Sequence, residues 1–118
     1  MLPFVATRKD RLLTYCRSLP AATEDIKWGQ HVCFSVGHKL FVIFGEDLRQ
    51  FTVKVDLSDF APLTALDGIV PAPYLARAGW VTADTVAGVN AAMARRLLLD
   101  SWRLVAERLS ARVRLALG

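Results

Sequence analysis

The chain has 118 residues, 53% of them hydrophobic, with 15 basic against 11 acidic side chains and a net charge of +4. That length suits one core, and the hydrophobic share excludes a disordered chain. No apolar run approaches the roughly 20 residues needed to cross a bilayer, two cysteines are too few for a disulfide framework or metal knuckle, and the mild charge permits an anionic partner without demanding one.

The first residues, MLPFVATRKDR, run from apolar to charged. A secretory signal has the opposite order, so a cytoplasmic location is expected, with residues 1–118 forming one domain. Thr7-Arg8-Lys9-Asp10 has the form of a capping box with Asp in place of Glu. Leu12, Tyr15, Cys16 and Leu19 follow at the spacing of one buried helix face, and Pro20 stops the helix.

Pro20 to Gln30 is expected to be a loop holding at most a single turn, with Thr23 as its cap. Trp28 is expected to plug the edge of the core, and Gly29 to supply a backbone angle that a Cβ would forbid. Val32 to Val36 and Leu40 to Phe44 are rich in β-branched and aromatic residues and are predicted as strands. Gly37-His38 between them suits a two-residue type II′ hairpin, pairing Val36 with Lys39 and placing Phe34 opposite Phe41. After a turn at Gly45-Glu46-Asp47, Arg49 to Asp56 is a third strand in which Phe51, Val53 and Val55 alternate with polar residues.

Ser58 is a candidate cap for a short helix over 60–66, and Asp67-Gly68 ends it. Pro71 and Pro73 force extended backbone at a sheet edge or on the surface. Gly79 to Thr82 is a further strand. A long helix then runs over 88–109, with Leu98, Leu99, Trp102, Val105, Ala106 and Leu109 on one face. Arg96, Asp100, Arg103 and Glu107 form a charged ladder opposite, and Arg108 suits the negative helix end. The expected class is α+β, an antiparallel β-sheet packed against helices in the order α-β-β-β-α-(β)-β-α.

Little in this pattern dictates a reaction. There is no phosphate-binding glycine loop, dinucleotide fingerprint or nucleophile elbow, so no catalytic residue, metal ligand or cofactor is assigned. Cys16 and Cys33 read as small buried hydrophobes. Cys33 lies two residues from His31 on one strand, so a thiolate–imidazole pair is conceivable on one face. Trp28, Tyr74 and Trp80 are candidates to line a pocket for a small molecule or a protein segment, with core packing as the alternative.

The series TEDIKWG, VCFSVGHKLF, FTVKVD, GIVPAPYLARAGWV and a long helix with SWRLV resembles the MmcQ/YjbR family from about Arg8 to Leu109. The resemblance implies an α+β fold similar to the frataxin (CyaY-like) topology. It also implies a DNA partner, with two hairpins as wings at Gly37-His38-Lys39 and at Gly45 to Arg49. Lys27, His38, Lys39, Arg49, Lys54 and Arg77 are then the candidate nucleic-acid contacts, although Glu46 and Asp47 would repel phosphates. An iron role like frataxin's needs a carboxylate ridge. The first helix instead mixes one acid, Asp10, with Arg8, Lys9, Arg11 and Arg17.

Overall fold

A computed structural model describes the backbone of residues 8–109 and of residue 115, and the side chains from Arg11 onward. The predicted cap at Thr7 and Asp10 lies outside what it describes. The elements are α1 (Arg8–Ser18), β1 (Ala22–Lys27), β2 (His31–Val36), β3 (Lys39–Phe44), β4 (Gln50–Lys54), α2 (Leu57–Thr64), β5 (Ile69–Pro71), a 3-10 turn (Ala76–Ala78), β6 (Trp80–Asp84) and α3 (Ala91–Glu107). The six strands form one antiparallel sheet in the order β1-β2-β3-β4-β6-β5. Among the described residues no helix is long and apolar enough to cross a membrane.

The α+β class and the predicted order hold, with one strand added at the front. The segment expected to be a loop is β1, an edge strand paired with β2 from Ala22↔Val36 to Lys27↔His31. Its four central residues are exposed, so it lacks the apolar alternation that announces a strand. Pairing with β2 and a bidentate Arg17–Glu24 contact at 2.7 and 2.9 Å hold it against α1. The Asp25 carboxylate accepts from the Ile26 N–H at 2.8 Å, occupying a main-chain donor of a strand that would otherwise invite a foreign one. Trp28 does not plug the core. It stands 64% exposed in the β1–β2 turn with φ of 49°, next to Gly29 at 90°.

The core lies between the sheet and the three helices. Phe34, Phe41, Phe44 and Phe51 are fully buried, with ring centroids 5.8 to 6.3 Å apart. Such tilted and edge-on pairs add to the burial of the rings themselves. Leu12, Cys16 and Leu19 of the α1 region, and Leu97, Leu98 and Val105 of α3, close the other side. Burial pushes the Cys16 thiol up to about 12, which keeps it protonated. The cap of the short second helix, Leu57–Thr64, lies two residues before the expected one. Asp56, not Ser58, is the N-cap, accepting from the Ser58 N–H at 3.0 Å and its hydroxyl at 2.8 Å.

The β2–β3 hairpin keeps the predicted Val36↔Lys39 pairing. Gly37 and His38 both have positive φ, 57° and 65°, which makes the turn type I′ rather than II′. One residue further in, the register slips. Ser35 pairs with Leu40 but Phe34 pairs with Val42, so Phe41 is the extra residue of a β-bulge and not the partner of Phe34. The β3–β4 ladder ends at the same level, at Val42↔Val53. Ser101, buried on α3, fills the break: its hydroxyl accepts the Lys54 N–H at 3.0 Å and donates to the Phe41 carbonyl at 2.6 Å.

At the far end of the sheet Asp84 has the corresponding role. Its buried carboxylate accepts from Arg49 Nε at 2.9 and 3.0 Å, from Gln50 Nε2 at 3.2 Å, and from the N–H groups of Val86 and Ala87 at 2.8 and 3.2 Å. The Arg49 hydrogen bond, ahead of the main-chain donors, holds this carboxyl well below the usual carboxylate range.

Two outcomes follow from these contacts. Ser101→Ala leaves a buried donor and a buried acceptor unpaired, at roughly 1–3 kcal/mol each, so urea unfolding should show a loss of about 2–4 kcal/mol; a loss under about 0.5 kcal/mol would mean that water replaces the hydroxyl without cost. The Asp84 carboxyl titrates near pH 3.9 when unfolded and lower when folded. Its contribution is therefore complete above about pH 5 and is lost as pH falls through the folded value. Asp84→Asn should lower Tm at neutral pH and flatten the acid limb of Tm against pH. A variant curve parallel to the wild type would show that Asp84 does not set the acid limb.

Candidate functional site

Where the β3–β4 ladder stops, the sheet forks. On one side Leu40 and Lys39 stay with β2; on the other Lys54 stays paired with Trp80 of β6, and the Val55 N–H bonds the Gly79 carbonyl at 2.8 Å. The C-terminal part of α3 runs past the fork. The result is a cleft of about 570 Å³ lined by Gly37, Lys39, Leu40, Lys54, Trp80, Val105, Arg108 and Leu109. Val105 in the last turn of α3 and Leu109 just past its end are buried, while Leu40 and Trp80 are half-buried walls.

Among the described lining residues three are cations and none is an acid. Lys39, Lys54 and Arg108 form no ion pair with any described residue. Burial first, and the Arg108 guanidinium second, push the Lys54 ammonium below its ordinary value. Asp56 feels Arg108, but its carboxylate is already committed to capping α2. The cleft therefore combines apolar walls with positive charge that forms no ion pair among the described residues, the Asp56 charge being felt by Arg108 only at a distance.

The structure brings some of the sequence candidates together and separates the rest. Lys39 and Lys54 line the cleft, and His38 stands exposed at the hairpin tip beside Lys39. Lys27 lies on the outer edge strand, 3.5 Å from Asp25. Arg49 is at the opposite end of β4, bound to Asp84. Arg77 is exposed on the 3-10 turn. The aromatic trio does not converge: Trp28 sits between β1 and β2, Tyr74 stands fully exposed after β5 at the other edge of the sheet, and Trp80 alone lines the cleft. A pocket shared by all three is not formed.

Leu40, Val105, Arg108 and Leu109 are the lining residues that sequence reasoning assigned to core or helix end. The available signal was weak. Lys54 and Trp80 are 26 positions apart and become neighbours only through antiparallel pairing. The conceivable Cys33–His31 pair is engaged elsewhere. The Cys33 thiol donates to the His31 main-chain carbonyl at 3.5 Å, and desolvation raises its pKa. The His31 Nδ1 bonds the Phe44 carbonyl at 2.9 Å, and since a carbonyl only accepts, Nδ1 carries the proton.

No curated protein matches the chain significantly. Among solved structures, the Deinococcus radiodurans protein DR2400, with a DUF419 domain, is similar at a TM-score of 0.84 and 24% identity, over 97% of this chain and 92% of that one. A protein from Pseudomonas syringae is similar at a TM-score of 0.69 and 17% identity, over 80% of this chain and 96% of that one. At these identities the likeness concerns the fold. The family model for YjbR matches residues 17–104, from the end of α1 to within the last turn of α3, and the chain belongs to the YjbR family.

Proposed function

We propose that the protein is a cytoplasmic, non-catalytic binding module that takes an anionic partner in the cleft at the fork of the sheet. The observation that carries this is the convergence of Lys39, Lys54 and Arg108 on one concavity with no carboxylate among its described lining residues. Clustered cations left uncompensated favour an opposite charge from outside, most of all at Lys54, the partly buried one of the three, where screening is weaker. The non-catalytic part rests on Cys33 and His31, which are held by main-chain groups rather than by each other.

Duplex DNA is the partner that the family resemblance implies. His38 and Lys39 at an exposed hairpin tip beside the cleft favour it. The acids Glu46 and Asp47 on the second hairpin, and Glu24 and Asp25 on the edge strand, oppose a broad phosphate-tracking surface.

A thermal-shift series decides between these readings. Pyrophosphate, citrate and a short DNA duplex are each compared with sodium chloride at matched ionic strength. The wild type should gain several degrees near saturation, since a ligand at 100 times its Kd adds about 2.7 kcal/mol. Lys54→Glu and Arg108→Glu should each abolish the gain. No anion-specific shift in the wild type would end the proposal. For the duplex, three cations cap the slope of log K against log salt near −2.7, at about 0.9 per phosphate. A steeper slope that falls on Lys27→Ala or Arg77→Ala would transfer the role to DNA bound across a wider face.

A further inference from the structure

Resting on that reading, we infer that the cleft's ligand is an amphipathic organic anion, with a carboxylate or phosphate head among Lys39, Lys54 and Arg108 and a flat apolar body lying between Leu40 and Trp80 on Val105 and Leu109. Three features of the lining select this class over a bare anion or a polyanion.

The first is composition. Half of the described lining, Leu40, Trp80, Val105 and Leu109, is apolar, and two of those residues, Val105 at the end of α3 and Leu109 just beyond it, are buried. A site for inorganic phosphate would put main-chain and side-chain donors there instead. Ligand pockets for organic molecules have this makeup, mostly apolar with a few convergent polar groups.

The second is size and shape. A cleft of about 570 Å³ falls within the roughly 300–1,000 Å³ usual for small organic ligands. It lies between separating strands, so a planar body can enter edgewise, with the Trp80 indole as one wall. A lysine stem also lies along apolar surface while its ammonium reaches outward, so Lys54 can join wall and head site.

The third is the distribution of charge. Duplex DNA presents a phosphate every few ångströms along an extended ridge and rewards a line of cations. Here three cations meet in one concavity, while two others proposed for DNA are held by acids, Lys27 by Asp25 and Arg49 by Asp84. The head group of a single small molecule matches a compact cluster.

The test is isothermal titration of the full chain with naphthyl phosphate, naphthalene carboxylate, decanoate, naphthol and inorganic phosphate. Naphthyl phosphate or naphthalene carboxylate should bind one-to-one and at least about tenfold more tightly than either naphthol or inorganic phosphate, because each of those lacks one half of the contact. Which of the two acids binds better identifies the head group, and decanoate shows whether the body must be flat. Lys54→Met, which keeps the stem and removes the charge, should weaken binding by about tenfold or more. Val105→Phe should block the floor to a similar degree, with Arg77→Ala unchanged. If Val105→Phe does not fold, Leu40→Trp fills the cleft from its half-exposed wall. Naphthol binding as well as naphthyl phosphate would overturn the inference. Inorganic phosphate binding as tightly as the aryl acids, dependent on Lys54 but indifferent to Val105→Phe, would overturn it while leaving an anionic partner in place. Binding of none of these anions, or binding untouched by Lys54→Met, would remove both.

Discussion

One buried hydroxyl decides how the sheet and the long helix meet. Ser101 stands at an otherwise apolar position on the inner face of α3, flanked by Leu98 and Val105 at helical spacing. In a uniform sheet the Lys54 N–H and the Phe41 carbonyl would take part in the β3–β4 ladder. The bulge at Phe41 removes that possibility, and it leaves a buried Phe41 carbonyl and a partly buried Lys54 N–H in need of partners. Ser101 serves both at once, as acceptor and as donor, so two main-chain groups that would each oppose folding become the point at which the helix is registered on the sheet. Apolar packing alone is non-directional and would let α3 slide by a fraction of a turn. The hydroxyl fixes the helix by angle as well as by contact.

The cleft is the consequence of that bridge. A ladder that continued past Val42↔Val53 would zip β3 to β4 and close the space now occupied by Leu40, Lys54 and Trp80. The bulge puts Phe41 and Val42 both into the core, widening the apolar layer, and turns the start of β3 away from β4. The last turns of α3 then pass under a gap instead of under a continuous sheet. A site made in this way has its walls on regular elements: three strands, the end of one helix and a two-residue turn whose positive backbone angles are met by Gly37 and His38. Rigid walls favour a preformed pocket over one made by loops.

What the sequence disclosed follows the same division. Alternation in β4, the apolar run of β3 and the amphipathic face of α3 are strong periodic signals produced by burial, and they placed the layers correctly. β1 was illegible because it is held by pairing and by ion contacts while its own residues stay in water. Without burial there is no apolar period to read. Trp28 misled for the opposite reason: its size suggests the core, but a positive φ in a three-residue turn carries the side chain outward. The bulge at Phe41 leaves no mark in composition, since one extra phenylalanine in KLFVIF fits a plain strand equally well. The fork, and with it the meeting of Lys54, Trp80 and Arg108, therefore depended on a register that local pattern does not encode. Lys39 and Lys54 were recognisable as candidate nucleic-acid contacts, but not as neighbours across one opening.

The net charge of +4 takes its meaning from this geometry. Spread over a surface, it would give a weak, screened attraction for any polyanion. Arg17, Lys27, Arg49, Arg96 and Arg103 instead sit against Glu24, Asp25, Asp84 and Asp100, where they fasten α1 to β1, cap the far end of the sheet and lace the outer face of α3. These pairs neutralise much of the surface and remove those cations from any extended stripe. Lys39, Lys54 and Arg108 stand on a strand start, a strand end and a helix end, sharing their cleft with apolar residues among those described. Burying Lys54 and holding Arg108 near it weakens the fold slightly: desolvation first, and the Arg108 charge second, depress the Lys54 ammonium. An anion with an apolar body relieves both parts of it, by neutralising the cluster and by covering Trp80 and the end of the helix.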